Sequence, residues 1–291
     1  MPRHDHQFSV DSRCELLPYL LTLPLGLSRK AAKDLLRFRA VTVKRVPAVK
    51  HDTQLQPGDI VTIAPGKQIP AESIERQGLK IVHLDDAIVI IDKRAGLLSM
   101  GSDTEKERTA HRILNDHLKA LTKSPSQQAF IVHRLDRETS GLMIFARTRA
   151  IQTALQDNWK TVTKKYLAIV EGVPAKTEGT LRDNLVESKS LRMHRVDRGG
   201  ELAITHYRVL RKGRNKSLLE LTLETGRKNQ IRVQIAALGH PIVGDRKYGA
   251  TTDPAHRLCL HSTTLKFHHP VSNTPMQFQS PLPTRLIEIV K

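Results

Sequence analysis

The run Ile131-Val132-His133-Arg134-Leu135-Asp136-Arg137-Glu138-Thr139-Ser140-Gly141-Leu142 constrains this chain more than any other stretch. It leads straight into Leu142-Met143-Ile144-Phe145-Ala146, an apolar run of strand length bounded by a Thr-Ser-Gly turn. Asp136 therefore sits on a loop at the start of a strand, among His133, Arg134 and Arg137. Nearby positive charge favours an ionised carboxylate. An ionised carboxylate beside arginines suits chemistry on an anionic polymer, with the arginines on phosphate and the carboxylate as nucleophile or base. Taken alone, the same letters fit a surface loop with a capping aspartate and exposed ion pairs.

Charge supports a polyanionic partner. Lys and Arg total 47 against 29 Asp and Glu, a formal net charge of +18 over 291 residues. Both signs are interspersed, and nucleic acid is a better partner than a membrane surface. Hydrophobic content of 39% supports a packed core. No apolar run reaches the length of a membrane span. Leu16 to Leu27 is apolar, but Pro18, Pro24 and the flanking sequence make it a poor secretion signal. Cys14 and Cys259 fit no disulfide or metal pattern, so a reducing cytoplasm is expected. His268-His269 lacks a third ligand at useful spacing, and no metal site is expected.

Residues 1–67 read as a small separate unit. A helix over residues 28–37 starts at Ser28, with Ala32, Leu35 and Leu36 on one side and Arg29, Lys30, Lys33 and Arg37 on the other. Strands follow at Ala40-Val41-Thr42-Val43 and Ile60-Val61-Thr62-Ile63, the second after a Pro57-Gly58-Asp59 turn. Residues 68–78 read as a polar linker. Beyond it, Ile81 to Lys93 reads as two strands around Asp85-Asp86. A helix is expected over Arg149–Lys160, with Ile151, Leu155 and Trp159 on one face, and a strand over Lys165–Gly172. Residues 176–200 read as an irregular excursion. Leu219, Leu221 and Leu223 alternate with polar neighbours in a half-buried strand. A helix over Lys228–Leu238, with Ile231, Ile235 and Leu238 inward, ends at Gly239-His240-Pro241.

Several blocks resemble the RluA-type pseudouridine synthases. The Asp136 run resembles that family's HRLD-x-x-T-S-G-L signature. Lys165-Tyr166-Leu167-Ala168-Ile169-Val170-Glu171-Gly172 resembles its tyrosine motif. Thr225-Gly226-Arg227-Lys228-Asn229-Gln230-Ile231-Arg232 resembles its Thr-Gly-Arg-x-His-Gln-Ile-Arg motif, with Asn229 in place of the histidine and Gln234 in place of a later one. That exchange implies a site less titratable near neutral pH. His240 to Gly249 and Leu258 to His261 resemble further blocks, read as scaffold, with Asp245 capping or pairing locally and His261 structural. In the opening block Lys93 and Gly96 remain, and Arg94 replaces a proline. Residues 7–63 resemble an S4 RNA-binding domain, with Lys44-Arg45 where Asn-Gly is usual.

The resemblance implies an α+β fold, the pseudouridine synthase fold with a mostly antiparallel mixed sheet and flanking helices, over residues 79–291, plus a small α/β S4-like domain. It implies isomerisation of uridine to pseudouridine in structured RNA, without cofactor. Asp136 is then catalytic. Tyr166 stacks on the target base or serves as a base in product release, and Arg232 pairs with Asp136. Arg134 takes the place of the flipped nucleotide. Arg227 and Lys228, at the helix N-terminus, join Arg29, Lys30, Lys33 and Arg37 as RNA contacts. Ribosomal RNA is the favoured substrate, with transfer RNA open, and a monomer is expected. A non-catalytic S4-type RNA-binding protein and an RNA N-glycosidase are the alternatives.

Overall fold

A computed structural model of the chain describes residues 6–37, 40–44, 46–48, 50–63, 71–101, 105, 108–122 and 127–290. The chain packs as two compact units, Met1–Glu72 with Lys119–Ser124, and Ser73–Leu118 with Pro125–Lys291.

The first unit contains β1 (His6–Ser9), β2 (Cys14–Glu15), α1 (Leu16–Thr22), α2 (Arg29–Arg37), β3 (Val41–Val43), β4 (Val46–Pro47), β5 (Gln54–Leu55) and β6 (Ile60–Ile63). A four-stranded sheet runs β1-β6-β3-β4, and β2 pairs with β5. Its core gathers Leu16, Leu20, Leu36, Leu55, Val61 and Ile63. The Ser28 carbonyl accepts the first α2 bond, from the Ala32 N–H at 2.9 Å. Ala32 and Leu36 are buried, while Arg29 and Lys33 are exposed; the side chains of Lys30 and Arg37 lie outside the described residues. The β3–β4 turn closes without Asn-Gly. Lys44 takes the left-handed conformation, φ 52°, and pairs with Asp59 at 2.8 Å; its neighbour Arg45 lies outside the described residues.

The expected linker is partly helical. α3 spans Ala71–Arg76, and Ile74 is buried in the core of the second unit, which gives this turn of helix an apolar anchor. Gln68, Ile69 and Pro70 lie outside the described residues.

The second unit continues with β7 (Leu79–Leu84), β8 (Ile88–Lys93), α4 (Ala110–Thr122), β9 (Phe130–Ile131), β10 (Ser140–Ala146), α5 (Arg149–Asp157), β11 (Thr163–Glu171), β12 (Glu178–Glu187), β13 (Met193–Val196), β14 (Glu201–Lys212), β15 (Lys216–Leu223), α6 (Gln230–Ala237), β16 (Leu260–His268), β17 (Pro275–Gln279) and α7 (Thr284–Ile287). One sheet runs β13-β12-β14-β15-β11-β16-β10-β8-β7, with β17 on β16 and β9 on β10. Its strand pairings are antiparallel except β10 with β16. The continuous apolar run of β10 follows from its place, since both of its faces are covered. Met143 and Phe145 enter the core on one face, where Ile113, Leu114 and Leu118 of α4 gather. Leu142, Ile144 and Ala146 enter the core on the other, with Leu155 of α5.

Three expectations are corrected here. Residues 176–200 are not irregular: they hold β12 and β13, and β14 follows as a third strand. Their side chains are largely polar and exposed or half-buried, so the alternation that marks a strand by hydrophobicity is weak in them. α5 ends at Asp157 rather than Lys160. The Asn158 backbone and side-chain N–H groups both donate to the Ala154 carbonyl, which closes the helix before Trp159. α6 starts at Gln230 rather than Lys228, because Asn229 is left-handed, φ 51°. Its buried face is also wider than expected, with Gln230, Val233 and Gln234 joining Ile231 and Ile235, while Leu238 is partly buried.

Candidate active site

The loop between β9 and β10 carries Asp136, and backbone contacts fix it. Ser99 Oγ donates to the Leu135 carbonyl at 2.6 Å and accepts from the Leu135 N–H at 3.0 Å. The Gly96 N–H donates to the Arg137 carbonyl at 2.9 Å. Lys93 is fully buried, and its Nζ donates to the carbonyls of Arg94, Leu97 and Arg137. Burial drives its ammonium down to about 7. Three carbonyl acceptors oppose that, because a neutral amine has two N–H groups and an ammonium three. Gly141 ends the loop at φ 111°, where a Cβ would lie 2.1 Å from the Ser262 carbonyl oxygen. A glycine is needed for β10 to meet β16 there.

His133 is not one of the cations around Asp136. Desolvation first, then the charge of Lys164, push its imidazole down to about 3. The neutral ring accepts from the Ile144 N–H at 3.2 Å and stacks on Trp159, centroids 4.5 Å apart. Its folded value lies below the ordinary 6.5. The unfolded chain therefore binds more protons between about pH 6.5 and 3, and stability falls as pH drops through that window. His133→Gln keeps an acceptor and should flatten the acid limb of the stability curve, by up to about 1.4 kcal/mol per pH unit. Denaturant midpoints measured from pH 7 to pH 4 check this, and an unchanged acid limb would refute it.

A cleft opens over the loop, lined in part by Arg134, Asp136, Tyr166, Arg227, Asn229 and Arg232. Arg134 is exposed at its edge. Tyr166 comes from β11, where the register against β16 shifts between Lys165 and Tyr166. Such irregularities re-aim side chains. The ring is buried, and desolvation, with Asp136 adding, pushes the phenol up to about 12. It is a neutral hydroxyl at neutral pH, which suits a stacking surface better than a base.

Arg232, on the first turn of α6, points across the cleft. Its Nη1 donates to Asp136 Oδ2 at 3.1 Å. Its Nε and Nη2 each donate to Asp245 at 2.7 Å, a two-pronged pair with a carboxylate that is almost fully buried. The expectation that Asp245 pairs locally understated this contact, which spans 13 residues of sequence. The ring of Tyr248 lies 5.1 Å from the Arg232 guanidinium carbon. The paired carboxylates outweigh desolvation and raise the guanidinium's pKa.

Arg227 and Lys228 precede α6 instead of opening it. Arg227 pairs with Glu201 at 2.6 Å and Lys228 with Glu187. Asp136, Tyr166, Arg134, Arg227 and Arg232 thus share one cleft, and Lys228 is not among its lining residues. Arg29 and Lys33 belong to the first unit. Sequence reasoning left Ser99 out of the site, gave Lys93 no task there, and read Asn229 only as the residue that replaces the family's histidine. A serine and a lysine that act through backbone carbonyls leave no side-chain motif to read. His261 is buried and bonded to Ser140 and Ser280, as a structural histidine would be. No group of three or more potential metal ligands occurs among the described residues.

Residues 87–237 match the family described as RNA pseudouridylate synthase. The chain belongs to that family. It is 33% identical to the ribosomal large subunit pseudouridine synthase D of Vibrio cholerae, over 90% of this chain and 86% of the relative. It is also 33% identical to the uncharacterized RNA pseudouridine synthase YlyB of Bacillus subtilis, over 84% and 82%. Among solved structures, human RNA pseudouridylate synthase domain containing 4 superposes with a TM-score of 0.62 at 27% identity, covering 76% of this chain and 94% of that one. The α+β fold and the isomerase class expected from the motifs hold. No helix among the described residues is long and apolar enough to cross a membrane.

Proposed function

We propose that this pseudouridine synthase uses Asp136 as its catalytic group, held by Arg232, on uridines of structured RNA. The observation that carries the reading is the 3.1 Å contact between Arg232 and Asp136 at the edge of the cleft, with Arg232 itself clamped by Asp245. The carboxylate engages the sugar at C1′ or removes a proton at C2′. The C1′–N1 bond breaks, the uracil turns, and C5 bonds to C1′. The proton leaving C5 is balanced by one gained at N1, so no oxidant or cofactor is required. Tyr166 offers an aromatic face to the extruded base, which offsets part of the unstacking cost. Arg134, exposed at the cleft edge, fills the space the base leaves.

Ribosomal RNA is the favoured substrate, supported by the likeness to the ribosomal large subunit pseudouridine synthase D of Vibrio cholerae. Two free cysteines fit a cytoplasmic enzyme. Incubation with ribosomal RNA followed by nucleoside analysis should yield pseudouridine. Free uracil would make the enzyme an N-glycosidase, and product on transfer RNA alone would move the substrate.

The first unit acts as an S4-like RNA-binding domain, with Arg29 and Lys33 exposed for phosphate. Neutralising both in the full chain should weaken RNA binding and flatten its salt dependence. The log–log slope should fall by about 0.7 to 0.9 per lost contact. Titrations over a salt series decide this; an unchanged slope would remove α2 from the RNA surface.

A further inference from the structure

We infer that Asn229 is a positioning residue, which sets the direction of the hydrogen bonds that aim Arg232 at Asp136. The inference rests on the catalytic reading of Asp136 and Arg232 above. Asn229 stands immediately before α6 in the left-handed conformation, φ 51° and ψ 19°, which asparagine tolerates better than most residues. Its side chain makes no capping bond to the helix. Instead Oδ1 accepts from Arg232 Nη1 at 3.3 Å, and Nδ2 donates to the Tyr248 hydroxyl at 3.0 Å.

The chemistry allows one orientation of this amide. A guanidinium has no acceptor, so the group facing Arg232 must be the carbonyl oxygen. The amide nitrogen then faces Tyr248, whose hydroxyl oxygen also accepts from the Met193 N–H at 3.2 Å. Nε and Nη2 of Arg232 are held by Asp245, so Nη1 is the part of the guanidinium that must be shared between Asp136 and Asn229. Among the described residues, the charged and titratable groups in contact with this network include Asp136, Asp245, Arg232 and Tyr248, the preceding Arg227 and Lys228 with their partners Glu201 and Glu187, and Arg192 and Lys247 over the Tyr248 ring. None is an imidazole. An amide cannot gain a proton in the working range, so the aim of Arg232 does not vary with pH through this contact.

Asn229→His tests the idea, because histidine also tolerates the left-handed region. A neutral imidazole can accept from Arg232 and donate to Tyr248, whereas an imidazolium can only donate. Single-turnover rates on RNA should approach wild type on the alkaline side. They should acquire a new acid limb with a midpoint between about pH 5 and 8, about tenfold down one unit below it. Asn229→Gly keeps the backbone conformation and drops both bonds. Its rate should fall by about 10- to 100-fold at every pH, with no new titration. Thermal melting at each pH shows whether the variants are folded; if Asn229→His unfolds in acid, the glycine variant decides. A wild-type pH profile in folded Asn229→His, or a wild-type rate in Asn229→Gly, overturns the inference. If Asp136→Asn retains activity, the catalytic reading fails instead.

Discussion

Asp136→Asn should reduce pseudouridine formation to a trace. The amide keeps the size of the side chain and can still accept from Arg232 Nη1, but it has no negative charge with which to attack C1′ or take a proton. A loss of about a thousandfold or more is expected, within or beyond what a positioned acid–base group supplies. Stability should change by about 1 kcal/mol or less, since the amide still accepts from Arg232 and Asp245 still balances its charge. Single-turnover assays and denaturant melts on the same preparation test both halves. A clean variant that still modifies RNA at near the wild-type rate would remove Asp136 from the chemistry.

Arg232→Met should fail in two ways at once. Methionine keeps part of the stem packing but leaves the Asp245 carboxylate buried and unpaired. Breaking a buried pair from one side costs about 3 to 5 kcal/mol, so a large loss of stability should accompany the loss of turnover. Adding Asp245→Asn removes the stranded charge and should restore much of the stability. Activity should stay low, because nothing then aims at Asp136. Recovery of activity in the double variant would show that Arg232 serves the fold alone.

Much of this site was legible because its residues fall in short runs with fixed spacing. Asp136 announces itself by the turn and strand that follow it, whereas Arg232 was marked only by resemblance to the family's third motif, since a helical arginine is ordinarily exposed. What was not legible depends on distance in space. Asp136 and Arg232 are 96 residues apart, and their contact exists because β10 and α6 are brought to one cleft by the sheet. The burial of Lys93 is invisible in a string of letters, because a lysine at a strand end normally reaches water. β12 and β13 escaped for a different reason. Strands whose side chains are mostly polar and at most half-buried carry little hydrophobic alternation, and their order comes from the pairing of neighbours. His133 misled through chemistry: adjacent to arginine in sequence, it is stacked on Trp159 in space and carries no charge.

The double grip of Asp245 on Arg232 has a further consequence for the reaction cycle. On the proposed mechanism, Asp136 gives up its negative charge at one stage, either by forming an ester with the sugar or by accepting a proton. Were Asp136 the sole counter-ion of Arg232, that moment would strand a cation whose side chain is largely shielded from water. Asp245 keeps the local charge balanced while Asp136 is occupied, and the guanidinium stays in place to receive the carboxylate when the product departs. The proposed mechanism thus separates the anion that reacts from the anion that keeps the site assembled.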